Sequence, residues 1–199
     1  MIYELAHLIK DKCSFLWGAV EWGNSSLFAL QYRTKLKGIP RILEGISNNT
    51  FTIRMTRESD AKKLELFFAE QPESAFEFFK PHGFDGKSLQ KVLKNKAFMT
   101  FIVTEEDKII GYFFLRSFIN GKCFRGKIVD KDWQGRGIAK LMGVAMTMVA
   151  KSLGFRMFGS ISPKNYASMA SAKASNDIKV HKTLDNGYYY IEFLQKKSE

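Results

Sequence analysis

The chain has 199 residues, 45% hydrophobic and 26% charged, with a formal net charge of +11. That composition excludes a disordered chain, and no apolar run reaches the ~18 residues that a membrane-spanning helix needs. The excess of Lys and Arg points to an anionic partner: nucleic acid, an acidic membrane surface or a phosphorylated small molecule. A soluble basic protein without such a partner is the plainer alternative.

Residues 1–18 place Leu5, Leu8, Ile9, Phe15 and Leu16 near helical spacing. The stretch WGNSS, residues 22–26, is expected to break that helix. Asn24, Ser25 or Ser26 would cap a second one through Leu27, Leu30, Tyr32 and Leu36. Gly38 and Pro40 interrupt it, residues 42–46 form a short apolar turn, and the polar loop SNNT marks a boundary. Residues 1–50 are therefore predicted as a helical extension and residues 51–199 as the main domain.

FTIRM, from Phe51, alternates like a strand, and the helix behind it is expected to take Thr56 as N-cap, with Glu58 and Asp60 in its first turn. A second helical zone over residues 72–95 is interrupted by KPHGFDG. Three strands follow: residues 98–104, 108–118 and 122–130. Asn120-Gly121 between the last two predicts a type I′ hairpin turn. After DWQGRG, the residues Ile138, Leu141, Met142, Ala145, Met148, Val149 and Leu153 mark one face of a long helix that Gly154 ends. A strand over 156–162, a small-residue helix over 163–175 and a hairpin around Asn186-Gly187 complete the chain.

Two cysteines, Cys13 and Cys123, with no Cys-x-x-Cys or His-Glu-x-x-His spacing, predict no metal site and a reduced, cytoplasmic setting. The start lacks the pattern of a signal peptide, in keeping with that expectation.

Gly135 and Gly137 stand at a strand-to-helix junction. A helix N-terminus has unpartnered N–H groups and partial positive charge, and glycine lets a phosphate approach them. Two phosphate turns do not fit. A P-loop ends in Gly-Lys-Ser/Thr, whereas this stretch reads Gly137-Ile138-Ala139. A dinucleotide fingerprint needs a third glycine where Lys140 stands, an acid about 20 residues on, and a βαβ unit in place of a meander.

The stretch Gln134-Gly135-Arg136-Gly137-Ile138-Ala139 resembles the acetyl-CoA motif of the GNAT superfamily of N-acetyltransferases. Val129 lies five residues before the glutamine, as in that family. The order of elements from Phe51 on is similar, IRMTRESDA looks like the family's first strand and helix entry, and Asn165 follows the fifth strand. The resemblance implies an α/β fold with a central mixed, mostly antiparallel sheet flanked by helices. It implies an acetyltransferase using acetyl-CoA, whose pyrophosphate rests on the N–H groups of Gly135 to Lys140. Gln134, Gly135, Arg136, Gly137, Ile138, Ala139 and Lys140 would hold it. Ile128 and Val129 would line the pantetheine arm, with Asn165 across the split. An N–H near Val129 or Asp130 would polarise the thioester carbonyl. Lys131, Arg136 and Lys140 either reach other phosphates or form a solvated basic face.

The family pattern is broken at two positions. Cys123 stands where some members carry a glutamate base, and Ala172 where many carry the tyrosine that protonates the thiolate. His82, in KPHGFDG, is the candidate base, and Asp85 lies close by; a surface histidine is the alternative. His7 is expected to be structural or exposed and His181 to face outward. Tyr166, Ser168 and Ser171 are the nearby hydroxyls for proton transfer, with water as the other donor. Phe78, Phe79 and Phe84 either stack on an acceptor or belong to the core.

The expected reaction is direct attack of a primary amine in a ternary complex. Acidic clusters occur only in TRESD and TEED, which favours a neutral or anionic small molecule, such as an amino sugar or sugar nucleotide, over a polyamine. A protein N-terminus, an aminoglycoside or CoA binding without catalysis remain alternatives. No nucleic-acid partner is expected, because the motif helix after Lys140 has only Lys151. The N-terminal helices would pack on the core, pair two subunits as a homodimer, cover the acceptor cleft or attach to a membrane surface.

Overall fold

The computed structural model describes residues 14–48 and 50–196, with side chains from residue 23. Of the helix expected over residues 1–18, residues 1–13, with His7 and Cys13, lie outside the described residues, and residues 14–18 are helical as the start of the first described helix. Among those described, no helix is long and apolar enough to cross a membrane.

The elements run α1 (Ser14–Leu36), α2 (Ile39–Glu44), β1 (Thr52–Met55), α3 (Ala61–Ala69), α4 (Gly86–Lys94), β2 (Phe98–Glu105), β3 (Lys108–Ser117), β4 (Lys122–Val129), α5 (Ile138–Leu153), β5 (Arg156–Ile161), α6 (Tyr166–Ser175), β6 (Asn176–Thr183) and β7 (Tyr189–Gln195). The strands form one sheet in the order β1-β2-β3-β4-β5-β7-β6. Every pairing is antiparallel except β4 with β5, which are joined through the crossover helix α5.

Side chains alternate across the sheet, so the two faces carry separate cores. Met99, Phe101 and Val103 join a core with α1, α2 and α5; Phe98 and Ile102 join another with α3 and α4. With both faces covered, β2 and β3 are apolar almost throughout.

The N-terminal segment is part of the first core. Phe28 is fully buried, stacks on Tyr32 at 5.0 Å and faces Phe155 at 6.0 Å. WGNSS does not break the helix, because its polar side chains have tertiary partners. Asn24 donates to the Ser117 carbonyl at 3.3 Å, and Ser25 Oγ accepts from the Lys96 N–H at 2.9 Å. Lys35 donates to the Leu153 carbonyl at the end of α5, 3.2 Å away.

Three further expectations change. Thr56 caps nothing; its hydroxyl donates to the Thr100 carbonyl at 3.2 Å. The turn before α3 is organised by Asp60, which takes two hydrogen bonds from Arg54 (2.7 and 2.8 Å) and one from the Arg57 N–H. Residues 72–95 hold a short 3-10 turn, Glu73–Phe76, and only α4 as a regular helix. The Asn120-Gly121 turn is not type I′. Only Gly121 has positive φ, and Phe118 N–H donates to the Lys122 carbonyl, which makes a three-residue loop closed by a glycine bulge. The Asn186-Gly187 hairpin repeats that geometry.

Phe28→Ala removes a ring packed between Tyr32 and Phe155. It is expected to cost about 3–5 kcal/mol in equilibrium urea unfolding. A loss below about 1 kcal/mol would contradict the packing of α1 into the core.

Candidate functional site

The site is built where two paired strands part. β4 and β5 pair only from Lys122, Cys123 and Phe124 to Arg156, Met157 and Phe158. From Arg125 and Gly159 onward they diverge, and α5 and α6 flank the gap. Asp130 N–H donates to the Ile110 carbonyl at 2.9 Å. Backbone groups alternate along a strand, so residues 122, 124, 126, 128 and 130 direct theirs to β3. The C=O of Arg125 and the N–H and C=O groups of Lys127 and Val129, beyond the last paired residues, therefore face the gap. Between Val129 at the mouth and Arg125 at the apex the open edge runs about 13 Å, at ~3.3 Å per residue.

At the mouth stands the N-terminus of α5. Gly135 and Gly137 have φ of 76° and 80°, a region that costs other residues about 1–2 kcal/mol. Gly137 is the N-cap and offers no side chain to the first turn. The N–H groups of Ile138, Ala139 and Lys140 thus have no partner within the helix. Asp130 shapes the approach by accepting from Asp132 N–H at 2.9 Å, and Gln71 Oε1 accepts from Lys131 N–H at 3.0 Å. Arg136 lies over the Trp133 ring at 4.4 Å, at the surface beside the turn.

The gap opens into a cleft of about 1010 Å³ that passes between the strands to the α3–α4 side of the sheet. Ile128, Val129, Gln134, Gly135, Gly137, Ile138, Ala139, Lys140, Asn165 and Ser168 all line it, so the structure brings these sequence candidates together. The far wall is aromatic, with Phe79, Phe98, Phe114 and Phe124. Gly126 is required there, since a Cβ would stand 2.4 Å from the Phe114 ring. The charged groups of the lining are Lys80, Arg116, Arg125, Lys127 and Lys140; no Asp, Glu or His among the described residues lines it.

Arg125 and Lys127 were not singled out by sequence reasoning. Both lie on β4 and face α5 and α6. Arg125 stacks on Phe193 at 3.4 Å and donates to Asn176 Oδ1 at 2.8 Å; burial lowers its pKa to about 9. Lys127 Nζ donates to the Ala139 carbonyl at 2.6 Å and to Ser171 Oγ. Burial, and then the charge of Arg125, lower the Lys127 pKa to about 7. Cys123 is buried on the same face, and burial pushes its thiol up to about 12. The spacing of two between Arg125 and Lys127 puts both side chains on one face of a strand, but the divergence of β5 that makes this face a cleft wall is a feature of the pairing, not of the sequence of β4.

The catalytic candidates fare differently. His82 does not line the cleft. Its ring sits among Phe68, Phe84 and Phe98, with Nδ1 2.7 Å from the Gly83 carbonyl and Nε2 2.8 Å from the hydroxyl of fully buried Tyr112. One neutral tautomer satisfies both: Nδ1–H donates to Gly83 and Nε2 accepts from Tyr112. Burial lowers its pKa. Tyr166 is 80% exposed and is not in the lining. Ser168 borders the cleft, and its N–H is held by Asn165 Oδ1 at 2.9 Å, so Asn165 caps α6. His181 and Arg156 share Glu192 away from the cleft. No cluster of His, Cys, Asp and Glu able to hold a metal occurs among the described residues.

This arrangement of sheet, split and glycine turn is the GNAT fold. The GNAT domain of S. lividans PAT superposes with a TM-score of 0.63 at 16% identity, covering 72% of this chain and 89% of that one. The ribosomal-protein-S5-alanine acetyltransferase from Vibrio fischeri gives 0.60 at 16% identity over 75% and 95%. AAC(6')-Ib in complex with paromomycin and acetyl-CoA gives 0.58 at 14% identity over 74% and 94%. No protein-family model and no curated protein matches the sequence.

His82→Leu leaves the Tyr112 hydroxyl buried without a partner and is expected to lower stability at pH 7 by about 1–3 kcal/mol. The His82 pKa is lowered in the fold, so the unfolded chain takes up the proton first. Its contribution is present above about pH 6.5 and declines on acidification. Urea titrations should show the variant declining less between pH 7 and 5; equal stability at pH 7 would contradict the pairing.

Proposed function

We propose that the chain is an N-acetyltransferase that moves the acetyl group of acetyl-CoA to a primary amine on a neutral or anionic small molecule, such as an amino sugar or sugar nucleotide. The observation that carries this reading is the uncapped, double-glycine N-terminus of α5 opening directly onto the unpaired edge of β4. Residues 51–199 carry the activity, and α1 and α2 brace the core beneath it through Phe28, Tyr32, Ile39 and Leu43. Leu27 and Leu30, exposed among the described residues of α1, would contribute to pairing two subunits.

Acetyl-CoA would supply the acetyl group as a thioester. Its pyrophosphate suits the N–H groups of Ile138, Ala139 and Lys140, with Lys140 and Arg136 adding charge and Gln134, Gly135 and Gly137 shaping the turn. The pantetheine amides suit the open N–H and C=O groups of Val129 and Lys127, as an added strand would. Asn165 borders the same groove. Asp130 N–H is committed to β3, so the donor for the thioester carbonyl is a gap-facing N–H, that of Val129 or Lys127.

The acceptor would enter from the aromatic wall. The lining offers no carboxylate or imidazole to take a proton from it. Its cations disfavour the ammonium form, so the amine reacts as the neutral base it brings. An amine of pKa near 8 is about one-tenth neutral at pH 7, while one near 10.4 is below about one-thousandth. Amines of low basicity are therefore favoured, and polyamines lack any acidic partner.

Calorimetry with CoA is expected to show one site per chain. Gly137→Val, strained at positive φ, is expected to weaken CoA about tenfold, near 1.4 kcal/mol. Release of free thiol from acetyl-CoA should then be followed with a panel of amines. Turnover with amino-sugar nucleotides but not polyamines is the expected pattern, and the reverse would overturn the acceptor assignment. Absence of CoA binding would overturn the whole reading, and binding without turnover on any amine would point to a CoA-binding protein.

A further inference from the structure

We infer that Lys127 is the acid that protonates the departing CoA sulfur, replacing the proton donor that Ala172 cannot supply. This rests on the proposed acetyl-CoA reading. Lys127 lies midway between the mouth of the split at Val129 and its apex at Arg125, with its main chain on the open edge and its side chain towards α5 and α6. A pantetheine arm entering from the α5 N-terminus brings its reacting end past this residue. Nζ is already held there, by the Ala139 carbonyl of α5 and by Ser171 Oγ of α6. Ser171 is the neighbour of Ala172, so the ammonium reaches the gap from the wall where the family tyrosine would stand.

The surroundings fit a proton donor and not a structural ion pair. Of the elements around Nζ, β4 contributes Arg125, α5 brings Lys140 to the cleft mouth, α6 presents Ser171, and β5 lines its side with Gly159 and Ser160. None of these is a carboxylate, and no carboxylate pairs with Lys127 among the described residues. Burial and Arg125 bring its pKa to about 7, so near neutrality both the ammonium and the amine are populated. That is the range in which an acid donates and recovers its proton most readily. The close approach of α6 to α5 that positions Ser171 depends on Gly143, where a Cβ would stand 2.2 Å from Ser175 Oγ.

The step balances as follows. The acceptor nitrogen forms a bond to the acyl carbon, and the carbon–sulfur bond breaks with its electron pair on sulfur. Lys127 ammonium gives one proton to sulfur. The new amide nitrogen loses one to water, and Lys127 regains one from water. No oxidant or other reactant is needed.

The test compares the wild-type chain with Lys127→Gln, Lys127→Met and Lys127→Arg. Arginine keeps the charge but does not release a proton. With the protein saturated by CoA, the ultraviolet absorbance of the thiolate is followed against pH. In the wild type the bound thiol is expected to ionise at least one pH unit below its value in Lys127→Gln and Lys127→Met, while Lys127→Arg keeps the shift. In turnover, Gln, Met and Arg should all lose about 10²-fold or more in kcat with little change in the KM for acetyl-CoA. Ser171→Ala, which frees Nζ from one anchor, should give a smaller loss and serves if the Lys127 variants fail to fold. Identical thiolate titrations in wild type and Lys127→Gln, with CoA bound to both, would overturn the inference. So would full activity of Lys127→Arg. Absence of CoA binding to the wild type would instead overturn the acetyl-CoA reading itself.

Discussion

The parting of β4 from β5 is the constraint on which the site depends. A parallel pair normally continues its ladder, because an open backbone edge inside a protein leaves strong donors and acceptors without partners. Here the ladder closes only at Lys122, Cys123 and Phe124. Beyond it, β5 is held by β7 on its other side, from Met157 to Ile161, so the sheet stays intact while one seam is open. Helices α5 and α6 cover one side of the seam and the aromatic wall borders the other. An open edge of this kind suits a ligand that brings its own amides.

The charge in the cleft follows from the same opening. Arg125 and Lys127 share one face of β4 because they are two residues apart, and the divergence of β5 places them against the gap. Burying cations without carboxylates is costly, and the fold offsets part of that with Asn176, the Phe193 ring, the Ala139 carbonyl and Ser171. The remainder appears as depressed pKa values. An anionic or electron-rich ligand would relieve it.

The glycine turn was legible in the sequence because its cause is local: positive φ at Gly135 and Gly137 and a helix start behind them. The meander and the final hairpin were legible from period-two patterns and turn residues. What escaped depends on contacts distant in sequence. Asn24 and Ser25 read as helix breakers until Ser117 and Lys96 appear as their partners. His82 read as a candidate base because it lies in the KPHGFDG loop with Asp85 close by, while its ring is enclosed by Phe68, Phe84, Phe98 and Tyr112. Asn120-Gly121 predicted the right hairpin with the wrong turn, since the twist is supplied by a single bulged glycine. Lys127 was hidden because nothing in a strand's own sequence tells that its neighbour will diverge.

The most direct measurement is the mapping of backbone amide resonances while CoA is added to the folded chain. The largest shifts should fall on Lys127, Val129, Gly135, Gly137 and the first turn of α5, with Phe124 and the closed part of the ladder little affected. Shifts confined to other surfaces, with these amides unmoved, would contradict the assignment of the split as the acetyl-CoA site.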